Sequence, residues 1–80
     1  MNLSFSRSSL KFLEKREPKT RAVLLEAIRE LPDQGDIQKL KGQDIKNAFR
    51  LRVGRYRVVY VWEGNAIKIL RIDTRGGVYK

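Results

Sequence analysis

The chain has neither cysteine nor histidine among its 80 residues. Without cysteine, no disulfide can staple the fold and no thiolate can serve as nucleophile or metal ligand. Without histidine, a conventional Ser–His–Asp triad and the common zinc sites are out of reach. Carboxylates are scarce as well: from residue 46 onward there are only Glu63 and Asp73, too few to hold a pair of catalytic cations. No apolar run approaches the roughly 20 residues that a membrane-spanning helix needs. The opening Met1-Asn2-Leu3-Ser4 is not the apolar core of a secretion signal. Gly76-Gly77 is followed by no helix, which excludes a strand–loop–helix phosphate cradle. These absences lead us to expect a cytoplasmic protein with no membrane association, no metal and no cofactor.

What is present is positive charge, unevenly placed. The chain carries 18 Lys and Arg against 9 Asp and Glu, a net charge of +9. Residues 1–45 hold nine basic and seven acidic residues, a balance of +2, whereas residues 46–80 hold nine basic and two acidic, a balance of +7. In the second half arginine outnumbers lysine six to three, which favours a planar fork that grips phosphates bidentately. Such an excess on predicted strands points to a polyanion, nucleic acid before an acidic protein. Apolar residues make up 41% of the chain and are spread along it, as expected of one folded domain over residues 1–80.

The apolar spacing predicts the elements. Leu3-Ser4-Phe5 alternates and reads as a short strand. Ser8 or Ser9 is expected to cap a helix running to Lys15, and Pro18 to end it and open the next. From Lys19 to Leu31, Leu24, Ala27, Ile28 and Leu31 form one helical stripe. Asp33 to Asn47 is polar and reads as a loop. The period then changes to two. Phe49, Leu51 and Val53 oppose Arg50 and Arg52, and after a Gly54-Arg55 turn Tyr56, Val58, Tyr60 and Trp62 oppose Arg57, Val59 and Val61. A Gly64-Asn65 turn leads to a strand from Ala66 to Ile72. The expected fold is α+β: an N-terminal strand and a helical hairpin on a small, twisted, mainly antiparallel sheet. Tyr56, Tyr60 and Trp62 read as packing residues and stay outside the candidate site.

If the protein is an enzyme, it works with arginine, lysine and tyrosine. RNA cleavage suits that set, because the 2′-hydroxyl supplies the nucleophile and the protein supplies geometry and positive charge.

Four short segments resemble the RelE/ParE toxin superfamily in order and spacing. They are Leu40-Lys41-Gly42, Phe49 to Gly54, Tyr56-Arg57-Val58-Val59-Tyr60, and Ile72 to Tyr79. The resemblance implies a RelE-like fold and the toxin of a type II toxin–antitoxin system, and favours a ribosome-dependent, metal-independent mRNA endoribonuclease. It implies as partners a cognate antitoxin, small and acidic, and a ribosome with mRNA in its A site. By position, Arg57 falls on the family's transition-state arginine and Arg75 on the basic residue near the leaving group. Tyr79 falls on the aromatic residue that stacks on a base. Arg50 and Arg52 fall among basic residues around the scissile phosphate, where RelE-like chains usually carry lysines, and Arg55 and Lys46 extend that phosphate-binding set. Two alternatives stay open: a gyrase-directed, ParE-like toxin, and a catalytically degenerate member that binds nucleic acid or a partner.

Overall fold

The computed structural model describes residues 2–40 and 46–74. Strand β1 (Asn2–Phe5) leads into helices α1 (Arg7–Glu14) and α2 (Pro18–Arg29), then strands β2 (Asp36–Lys39), β3 (Ala48–Val53), β4 (Tyr56–Glu63) and β5 (Ala66–Thr74). The five strands form one mixed sheet in the order β1-β5-β4-β3-β2. Only the β1–β5 pair is parallel. The α+β expectation holds, with a larger sheet than the expected meander.

The two helices sit on one face of that sheet. The stripe of α2 buries Leu24, Ile28 and, just past its end, Leu31, and α1 adds Leu13. They meet Leu51 of β3, Val58 and Tyr60 of β4, and Ile67, Ile69 and Ile72 of β5. Each fully buried aliphatic side chain here contributes about 1.5–3 kcal/mol. Arg21 of α2 clasps the helical hairpin, donating to the Leu13 carbonyl at 3.0 Å and the Arg16 carbonyl at 2.9 Å. It thereby ties the chain at the end of α1 to α2, adding a donor to the Leu13 carbonyl, which also accepts the Arg16 amide at 3.1 Å.

Two expectations need correction. The cap of α1 is Ser6, not Ser8 or Ser9: its hydroxyl accepts the Ser9 amide at 3.1 Å. Ser9 is the third helical residue and is fully buried, so its hydroxyl bonds back to the Ser6 carbonyl. Within the expected loop, Asp36–Lys39 is a strand, antiparallel to β3. With Ile37 alone packed on the core, its pairing is supplied by the backbone rather than by an apolar pattern. In the two tight turns only Gly54 (φ 58°) and Gly64 (φ 55°) have positive φ, while Arg55 and Asn65 do not. Glycine in the first central position is what such a hairpin turn requires.

Strand β5 carries an irregularity that matters for the site. Val59 pairs with Arg71 and Tyr60 with Ile69, so Leu70 is an extra residue in β5. The bulge reverses the alternation, putting Ile69 and Ile72 both in the core and turning Arg71 outward. Its carbonyl is held by the cap of α1, since the Ser6 hydroxyl donates to Leu70 O at 2.7 Å.

Candidate functional site

On the sheet face turned away from the helices, the strand register sets side chains in rows. One row runs Asp36, Arg52, Arg57, Asp73 across β2, β3, β4 and β5. The next runs Gln38, Arg50, Val59, Arg71. The first row is balanced, two arginines against two aspartates. The second is purely cationic, with Arg50 and Arg71 flanking a valine. Arg52 directly opposes Arg57, a like-charge pair that would be unfavourable alone. An aspartate on each side offsets it.

The two aspartates act unequally. Asp73 grips Arg57 as a fork, taking hydrogen bonds from Nε at 3.1 Å and from Nη2 at 3.1 Å. The same carboxylate lies 3.3 Å from Arg71 Nε. Asp36 reaches Arg52 only at 4.0 Å, with both side chains largely exposed, and holds it weakly. The hydrogen bonds that Arg57 donates to Asp73 push its pKa above its already high value, partly opposed by desolvation. Arg57 is therefore a permanent cation that offers charge and hydrogen bonds, not a proton to exchange.

Between the rows lies a depression of about 430 Å³, lined by Leu40, Arg50, Arg57, Val59, Leu70 and Arg71. Arg50 donates through Nη2 to Gln38 Oε1. Its Nη1 is shielded from solvent and meets no acceptor among the described residues. A shielded guanidinium nitrogen without an acceptor carries an uncompensated desolvation cost. Three arginines around a small hollow with an apolar floor can hold a phosphate and leave room for the group attached to it.

Of the residues singled out from sequence, Arg50, Arg52 and Arg57 share this face, Arg50 and Arg57 lining the depression and Arg52 beside them. Arg55 sits in the β3–β4 turn and borders a different hollow on the helix side, with Lys19, Thr20, Val23 and Tyr56. Lys46 is exposed in the turn before β3 and does not line the depression. Arg75 and Tyr79 lie outside the described residues. Arg71 and Asp73 were missed because strict alternation places Arg71 on the core face. A charge at an inward position next to the apolar pair Ile69-Leu70 was the available signal that the strand must bulge.

Among the described residues there is no cluster of three or more His, Cys, Asp or Glu able to hold a metal, and no helix long and apolar enough to cross a membrane. The chain and its fold have clear relatives. A family model described as the ParE toxin of type II toxin–antitoxin systems, parDE, matches residues 3–79. A protein of Methanocaldococcus jannaschii named Putative toxin RelE1 is 39% identical over 62 residues, covering 71% of this chain and 67% of its own length. In a crystal structure of a RelB–RelE antitoxin–toxin complex from Methanococcus jannaschii, one chain superposes with a TM-score of 0.74 at 28% identity, over 94% of this chain and 93% of that one. An archaeal RelE–RelB complex from Pyrococcus horikoshii OT3 gives 0.73 at 29% identity, over 94% of each chain. A matching family model over nearly the whole chain and these shared folds lead to one assignment: the chain belongs to the RelE/ParE family of toxins of type II toxin–antitoxin systems.

Proposed function

We propose that this toxin is a metal-independent endoribonuclease that acts in the cytoplasm on mRNA in the ribosomal A site, held in check by a cognate antitoxin. The observation that carries the reading is the set of Arg50, Arg57 and Arg71 around one hollow on the face the helices leave free. In the reaction, the substrate's 2′-oxygen attacks the adjacent phosphorus and the bond to the 5′-oxygen breaks. The products are a 2′,3′-cyclic phosphate and a 5′-hydroxyl; the 2′-hydroxyl proton is lost and the leaving oxygen gains one. Arg50 and Arg57 grip the non-bridging oxygens, whose charge grows in the phosphorane. Arg52 supplements the field from the neighbouring row, and Arg55 and Lys46 contact phosphates farther along the strand. Arg75 serves the leaving oxygen, and Tyr79 stacks on a base.

An antitoxin partner is supported by the RelB-bound relatives and by the charge of +9, which favours a small acidic chain. Among the described residues β1 and β2 are the edge strands, where an added strand of a partner could pair.

The test is primer extension on an mRNA in a translating extract, with gyrase supercoiling followed in parallel. Arg57→Ala should lower cleavage about 10²- to 10³-fold, the loss typical of one transition-state donor, while ribosome binding persists. Intact mRNA together with inhibited supercoiling would replace this reading with the gyrase-directed one, for which the ParE description of the family model is the supporting observation.

A further inference from the structure

Among the described residues, Asp73 is the one carboxylate that forks an arginine of the candidate site, and an anion in a phosphate site calls for an explanation. We propose that Asp73 is a positioning residue: it fixes the Arg57 guanidinium by one edge so that the other edge meets the scissile phosphate. The proposal deepens the nuclease reading and rests on it.

The geometry carries it. A guanidinium has five N–H groups around a planar fork. Asp73 engages Nε and one hydrogen of Nη2, leaving both hydrogens of Nη1 and the second of Nη2 for another acceptor. Carboxylate and phosphate can therefore occupy Arg57 together, and the substrate has no ion pair to break on arrival. The Arg57 and Asp73 side chains are 36% and 31% exposed, so the fork stands at the edge of solvent, where an incoming anion can reach the free edge of the guanidinium.

Neighbouring charges supply the second argument. Arg57 faces Arg52 across β3–β4, and Arg71 lies on the same carboxylate as Arg57. Without Asp73, three like charges would spread into solvent and Arg57 would sample many rotamers. With it, the donors are aligned before the phosphorane forms, the condition under which such donors accelerate a reaction. The carboxylate also opposes uniform attraction of phosphate, so removing it should leave binding intact while slowing chemistry.

The experiment is single-turnover cleavage of ribosome-bound mRNA, with ribosome affinity measured separately and folding checked by circular dichroism. Asp73→Ala should lower the cleavage rate about 10- to 10²-fold, with ribosome Kd unchanged or tighter. Asp73→Asn, which keeps one acceptor for Arg57, should lose less. In an Arg57→Ala background, Asp73→Ala should change the rate by less than about twofold, because the residue acts through Arg57. Wild-type cleavage by Asp73→Ala, or an equal loss without Arg57, would overturn the proposal and leave the nuclease reading standing. Wild-type protein that leaves mRNA intact would instead sink the nuclease reading, and the fork is then read directly. The Arg57 Nε–H NMR signal should be protected from exchange in the wild type and unprotected in Asp73→Ala; an unprotected wild-type signal would overturn the proposal on its own.

Discussion

The two faces of strands β3 to β5 are built from alternate residues of the same segments, yet they obey different rules. The helix face holds Leu51, Val58, Tyr60, Ile67, Ile69 and Ile72, all nearly free of solvent, and its value lies in packed volume. The outer face holds Arg50, Arg52, Arg57 and Arg71, partly wet, with two aspartates setting the balance. The helix face supplies the free energy that lets the outer face concentrate like charges without unfolding the sheet. A substitution on one face should therefore be felt in stability, and on the other in activity.

The sharpest way to break this contrast is at Ile69, fully buried beside β1. Ile69→Ala should cost about 2–5 kcal/mol, a large part of the roughly 5–15 kcal/mol that holds a small domain together. Urea unfolding measures it, and a loss below about 1 kcal/mol would show that the core around β5 collapses to fill the space. Ser6 lies between the faces, capping α1 and holding the bulge carbonyl that accompanies the outward turn of Arg71. Ser6→Ala should cost about 1–2 kcal/mol in the same experiment, from the lost cap and the loss of the shorter hydrogen bond to the bulge carbonyl; a loss near zero would mean that the bulge needs no support from the helix.

The smallest effect has the opposite sign. Tyr60 is fully buried, and its hydroxyl meets no partner among the described residues. Tyr60→Phe should be neutral or stabilising by up to about 1 kcal/mol at pH 7. Burial raises the Tyr60 pKa from its ordinary value. Its contribution is therefore fully present below the unfolded pKa of about 10 and lost as pH climbs through the higher folded value. The advantage of Tyr60→Phe should accordingly grow above pH 10, as thermal melts of the two proteins at neutral and alkaline pH would show. A variant that is less stable at both would mean that the hydroxyl is satisfied in solution.

Much of this architecture could be read from residue order because its signals are periodic. The stripe of Leu24, Ala27, Ile28 and Leu31 announced α2, and Gly54 and Gly64 marked both hairpin turns. Alternation put Arg50, Arg52 and Arg57 on one face, where they stand. Periodicity failed where an element is too short or breaks its own period. β2 has one inward apolar residue, Ile37, and exists through pairing with β3. β5 changes parity at Leu70, which hid Arg71 and with it the carboxylate of Asp73. Ser6 was passed over as a cap because Ser8 and Ser9 offer the same chemistry, and only the backbone distinguishes them. Charge alone did not separate Arg55 and Lys46, which sit in turns, from the arginines that line the depression.

The parallel pairing of β1 with β5 has a consequence in time. Ser6 and Leu70, joined by a hydrogen bond, are 64 positions apart in the chain. At a synthesis rate of about 5–20 residues per second, the first strand waits roughly 3–13 seconds for its neighbour to be made. Until then β1 has no sheet to join, the cap of α1 has no bulge to hold, and Arg57 has no Asp73. A nascent chain halted after β4 thus carries Arg50, Arg52 and Arg57 but not the carboxylate that grips Arg57. The Arg57–Asp73 fork can form only once β5 has been made.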